Sequence, residues 1–169
     1  GHVLAIQKEL SSQAIRYDPQ ILIGTMIEVP SAAINADILT SHADFVSIGT
    51  NDLTQYTMSV DRGNDKVSYL YSTFNPAVLR SIRHIIECGR REGIMVGMCG
   101  EAASDPLMIP LLLAFGLNEF SMSASAILKA RKYITGYSVE ELKAVAEQAM
   151  GFVTAAETQQ FMKNFVEGR

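Results

Sequence analysis

FVSIGTNDL, residues Phe45 to Leu53, opens as a short apolar strand and breaks at Gly49 into a polar loop carrying an amide and a carboxylate. Short runs of branched apolar residues that end abruptly in polar groups are typical of parallel strands, whose two faces both lie under other elements. Upstream, LIGTMIEV (Leu22 to Val29) has the same character and stops at Pro30. Downstream, Ile94 to Met98 and Glu119 to Met122 read as two more short strands. The stretches between them have helical periodicity. Val3, Ile6, Leu10 and Ile15 form a stripe broken by Asp18-Pro19, and Ser31 to Leu39 reads as a helix with Ser31 as its N-cap. Val78, Leu79, Ile82, Ile85 and Ile86 share one face of a helix that starts at Asn75-Pro76 and ends at Gly93. Asp105-Pro106 and Gly116 frame the next helix, and Ser125 to Ile134 is another. Two final helices carry capping-box spacing, Ser138 with Glu141 and Thr154 with Glu157.

Alternation of helix and strand predicts an α/β fold with parallel strands and right-handed crossovers. Four strand-helix units in 169 residues are half of a closed eight-unit barrel, which usually takes about 250 residues, or else a small open sheet. No internal repeat decides between the two. The chain divides into residues 1–20, the end of a preceding helix in which Gly1-His2 reads as a cloning remnant; residues 21–135, the strand-helix units; and residues 136–169, a helical tail.

A net charge of −4, from 14 Lys and Arg against 18 Asp and Glu, gives no broad cationic field and argues against nucleic acid as the main partner. The two cysteines, Cys88 and Cys99, form neither a disulfide framework nor a zinc motif, which suits a reducing cytoplasm. Met108 to Leu113, the most apolar stretch, is far short of the roughly 18 residues of a membrane span.

In α/β folds the chemistry gathers beyond the carboxyl ends of the strands. Glu28 follows the first strand, Asn51 and Asp52 the second, Cys99 and Glu101 the third, and Ser121, Ser123 and Ser125 the fourth. Glu28 and Asp52 are hard oxygen donors suited to Mg²⁺ or Mn²⁺, which take one or two carboxylates and leave room for water and phosphate. A Glu28 paired with an arginine is the competing reading, and spacing does not choose between them. Cys99 is either a small buried hydrophobe or an acid–base thiol; its place after a strand, between Gly97 and Gly100, favours chemistry. Cys88 sits within a helix and reads as packing. Arg62, in the loop Asp61 to Asn64, could clamp a phosphate, although spacing alone favours a pair with Asp61 or Asp65, or simple solvation.

Five segments occur in order: MIEVPSAA (Met26 to Ala33), SIGTNDLTQY (Ser47 to Tyr56), DRGN (Asp61 to Asn64), GMCGE (Gly97 to Glu101) and FSMSASAILKAR (Phe120 to Arg131). Together they resemble the C-terminal part of the phosphoenolpyruvate-utilising enzymes, over about Ile21 to Ile134. VSYLYSTFNPAVLR (Val67 to Arg80) and SMSASAILKAR look like the members that serve sugar phosphotransferase systems. A pyruvate phosphate dikinase or phosphoenolpyruvate synthase is the alternative, and a dimerisation module without activity of its own is another. Glu101 to Asp105 departs slightly from the family pattern, in which Met and Gly are more usual at two of these places.

The resemblance implies the C-terminal half of a TIM (β/α)8 barrel with a helical tail. It makes Glu28 and Asp52 the ligands of Mg²⁺, with Mn²⁺ the alternative ion. Asn51 and Asp52 would contact the phosphoryl group of phosphoenolpyruvate, Arg62 would clamp it, and Cys99 would protonate enolpyruvate to pyruvate. The phosphoryl group would pass to a histidine on a separate N-terminal domain and onward to a phosphocarrier protein, in a cytoplasmic homodimer. The resemblance places that histidine and two further substrate-binding arginines outside these residues, and so implies that this stretch alone does not turn over.

Overall fold

Four strands, β1 (Gly24–Ile27), β2 (Phe45–Gly49), β3 (Met95–Cys99) and β4 (Glu119–Phe120), pair in parallel in the order in which the chain makes them. Helix α1 (His2–Ser12) precedes the sheet; α2 (Pro30–Ile34) and α3 (Ala36–Thr40) follow β1; α4 (Thr50–Met58) and α5 (Pro76–Glu92) follow β2. Helix α6 (Ile109–Phe115) follows β3, α7 (Ala124–Ile134) follows β4, and α8 (Val139–Met150) and α9 (Ala155–Glu167) complete the chain. This computed structural model describes residues 1–168. The expected α/β class and parallel order are what it shows.

Helix α5 shows why the sequence folds this way. The Asn75 side chain accepts the Ala77 N–H at 2.9 Å, Pro76 stands in the first turn, and Gly93 at φ +70° ends the helix in the left-handed conformation. Its stripe of Val78, Leu79, Ile82, Ile85 and Ile86 is at most 1% exposed. Alternate strand residues Ile27, Val46, Ile48, Val96 and Met98 join it in one core. Helix α8 packs on α5 and α6, and α9 on α8, so the helical tail belongs to the same body.

The strands alternate as pleating requires, but among the described residues helices cover only one face. On the other, Met26 and Met95 are each 45% exposed, against the expectation of a sheet covered on both sides. Across that open face the register sets Met26 beside Ser47, Ser47 beside Gly97, and Gly97 beside Glu119.

Local differences have local causes. The first strand is shorter than Leu22 to Val29: it begins at Gly24, and Leu22 and Ile23 before it are 64% and 48% exposed. Ser31 caps nothing: Pro30 heads the helix, and Val29 holds the cap position without a side-chain bond. The expected helix from Ser31 to Leu39 splits at Asn35, whose side-chain amide donates to the Ser31 carbonyl at 2.9 Å. Gly49 to Leu53, read as a loop, instead runs directly into α4. Asp105 bonds the Leu107 N–H in a tight turn at 2.8 Å, and α6 begins later, at Ile109.

Candidate functional site

The carboxyl ends of β1, β2 and β3 lie level with one another. Ile27 pairs with Ile48 and Gly49 with Cys99, so Glu28, the next residue on the first strand, reaches the same row. Gly49 leaves space that Glu28 uses. A Cβ on Gly49 would stand 2.6 Å from Glu28 Oε2 and 2.8 Å from Glu28 Cβ, so any side chain there would displace the carboxylate. Glu28 is half-buried and joins no salt bridge among the described residues. Asn51 and Asp52 occupy the first turn of α4 and are also half-buried.

Cys99 ends β3 rather than following it, and is half-buried. Its Sγ lies 3.8 Å from Met26 Sδ and 3.8 Å from the Ile48 carbonyl oxygen, on the open face. Cys88 is 1% exposed within α5, where burial pushes its thiol pKa up; this is the packing role expected of it.

Two hydrogen bonds of opposite sense join the ends of β2 and β3. Thr50 Oγ1 donates to the Cys99 carbonyl at 3.0 Å, and the Glu101 N–H donates to Asn51 Oδ1 at 3.3 Å. With its oxygen committed, the Asn51 amide keeps its NH₂ group as a donor. Between these bonds Gly100 has φ +100° and ψ −179°, a conformation open essentially to glycine alone.

Arg62 is exposed and forms no salt bridge with Asp61 or Asp65 among the described residues. Asp61 is instead turned onto the Gly63 N–H at 2.8 Å, while Gln55 Oε1 accepts the Arg62 N–H at 3.3 Å. The Arg62 guanidinium lies near the hydroxyl of Tyr71, which donates to the Asn51 carbonyl at 3.2 Å. Burial raises the Tyr71 pKa, with Thr54 and Arg62 pulling it back, so the phenol stays a neutral donor.

Thr50 and Tyr71 are site residues that sequence reasoning missed. Thr50 stands inside the Gly49 to Asp52 run and could have been found as the one hydroxyl between the glycine and the amide. Tyr71, twenty residues from Asn51, leaves no local signal. Ser121, Ser123 and Ser125 lie exposed beyond β4.

The donor set suits a divalent cation held by few protein ligands. Among the described residues no three His, Cys, Asp or Glu side chains form a metal cage, whereas Mg²⁺ needs only one or two carboxylates plus water and phosphate oxygens. Glu28, seated over Gly49, and Asp52 offer that pair. A cavity of about 530 Å³ opens elsewhere, between Tyr69 to Asn75 and α9. Its carboxylate, Asp105, is engaged in the turn before α6, so the strand-end row remains the better place for chemistry.

The profile of the family described as "PEP-utilising enzyme, PEP-binding domain" matches residues 2–139. A phosphoenolpyruvate-protein phosphotransferase of Geobacillus stearothermophilus is 49% identical over 162 residues, which are 95% of this chain and 28% of that protein. Its counterpart in Staphylococcus aureus is 45% identical over 166 residues, 98% of this chain and 29% of that protein. The one from Staphylococcus carnosus is 46% identical over 158 residues, 94% of this chain and 28% of that protein. The chain thus spans under a third of the length of these relatives. No helix among the described residues is long and apolar enough to cross a membrane.

Proposed function

Because the chain belongs to the PEP-utilising enzymes, through their PEP-binding domain, we propose that its strand-end row binds phosphoenolpyruvate and a divalent cation for phosphoryl transfer to a protein. The relatives' names favour a protein acceptor over the dikinase and synthase reactions. One observation carries the reading: Glu28, the Asn51-Asp52 pair and Cys99 stand on a single rim, where Thr50 donates to the Cys99 carbonyl and Asn51 accepts the Glu101 N–H.

Glu28 and Asp52 would hold Mg²⁺ or Mn²⁺, which would supply charge neutralisation for the phosphoryl oxygens. The Asn51 NH₂ group donates to a phosphoryl oxygen, and Arg62, exposed and with no salt bridge among the described residues, swings in to clamp a second one. Loss of the phosphoryl group leaves enolpyruvate. The Cys99 S–H gives its proton to the methylene carbon while the enolate collapses to the ketone, forming pyruvate and a thiolate that solvent reprotonates. In reverse, the thiolate removes a methyl proton. Transfer to a phosphohistidine-bearing domain, onward transfer to a phosphocarrier protein for sugar uptake, and pairing with a second copy belong to the same proposal. The four-stranded sheet is in this reading half of a (β/α)8 barrel, supported by its open face and its level row of strand ends.

Calorimetric titration of phosphoenolpyruvate with Mg²⁺ into this chain, beside a Glu28→Ala/Asp52→Ala control, tests the site. The expected result is binding of about 1 mM, or roughly 4 kcal/mol, that the control lacks. Equal heats from both proteins would contradict the metal assignment.

A further inference from the structure

Cys99 ends β3 and Asn51 stands in the first turn of α4, yet their relative position is fixed by backbone and side-chain bonds rather than by contact between the two side chains. Thr50 is 0% exposed, and its hydroxyl donates to the Cys99 carbonyl. The next residue, Asn51, accepts the Glu101 N–H. Gly100 passes between them so closely that a Cβ would stand 2.5 Å from Thr50 Oγ1 and 3.0 Å from Asn51 Oδ1. Thr50 therefore sits at the centre of a staple, with the phosphate-side donor on one flank and the thiol on the other.

We propose that Thr50 is the positioning residue for Cys99: its hydroxyl fixes the Cys99 carbonyl, and through it the thiol, at a set distance from the Asn51-Asp52 pair. This deepens the reading of Cys99 as proton donor and rests on it. Carbon protonation needs such control, since a small displacement of the donor from its near-attack position costs rate steeply. A hydrogen bond to backbone suits the task, because it holds the end of β3 without touching the sulfur or altering its charge. Without it, the glycine-only hinge at Gly100 is free to turn. Cys99 then leaves its place between Met26 Sδ and the Ile48 carbonyl.

The two cysteines make the test internal. Cys88 is buried and Cys99 half-exposed, so alkylation by iodoacetamide, located by peptide mass, reads Cys99 while Cys88 reports on global opening. Thr50→Val keeps the buried volume and removes the hydroxyl; Thr50→Ser restores the donor. The expected result is Cys99 alkylation about fivefold faster in Thr50→Val and within about twofold of the parent in Thr50→Ser, with Cys88 unmodified in both. Unchanged Cys99 reactivity in Thr50→Val would overturn the proposal. So would labelling of Cys88 in that variant, which would make Thr50 a residue of the fold rather than of the thiol's position. Neither outcome depends on phosphoenolpyruvate binding, so a failed titration above would remove the proposed function and leave this result standing.

Discussion

Gly100 meets two demands at once, a backbone turn closed to side chains and a close approach to Thr50 and Asn51. Replacing it by alanine adds strain of about 1–3 kcal/mol. Gly100→Ala should therefore melt several degrees lower, at about 2–4 °C per kcal/mol for a chain of this size, as scanning calorimetry would show. A melting point equal to the parent's would mean that the turn is not held as described. Gly49 acts differently: its φ of −85° is open to any residue, and what matters is the space it leaves to the Glu28 carboxylate. At this scale what was legible is placement: Glu28 stands just past β1 and Asp52 in the first turn after β2, while Cys99 ends β3 instead of following it. Tyr71 was not legible, because its importance lies in a bond to a residue 20 positions away, and Thr50 showed only as a hydroxyl beside the amide, its partner standing 49 positions off.

The start of α6 offers a test at the level of the element. Burial raises the Asp105 carboxyl pKa, and the N–H groups of Leu107 and Met108 only partly offset that effect. A raised folded-state value means that the folded chain holds this proton more tightly than the unfolded chain does. The charged carboxylate therefore costs stability above that value, and the cost disappears as the pH falls through it. Asp105→Asn keeps an acceptor for the Leu107 N–H and removes the charge. Urea unfolding should find the variant the more stable at about pH 8, with the gap closing toward about pH 4. A parent more stable than the variant at the alkaline end would contradict this. Among elements, α5 was readable to within a residue because cap, proline, apolar stripe and closing glycine all agree. The break between α2 and α3 was not, since it turns on one Asn35 side chain competing with helical bonding. The N-cap expected at Ser31 failed for the related reason that Pro30 already occupies the first turn.

Over the whole molecule, the order of elements was legible because alternating strands and helices leave few topologies. The one-sided cover was not. An apolar strand reads the same whether its second face lies under helices or within a barrel interior, and Met26 and Met95 carry no mark of which. That open face is nevertheless what makes the strand-end row accessible as a shelf, with Cys99 at the end of β3 and the Glu28 carboxylate over Gly49 at the end of β2. The proposed function joins three roles on that shelf: metal binding, phosphate binding and proton donation. Cys99 alkylation by iodoacetamide, measured with and without phosphoenolpyruvate and Mg²⁺, tests all three together. The account predicts that the two ligands together slow the reaction about threefold or more at about 10 mM each, that neither alone does so, and that Glu28→Ala/Asp52→Ala removes the protection. An alkylation rate indifferent to both ligands would contradict it.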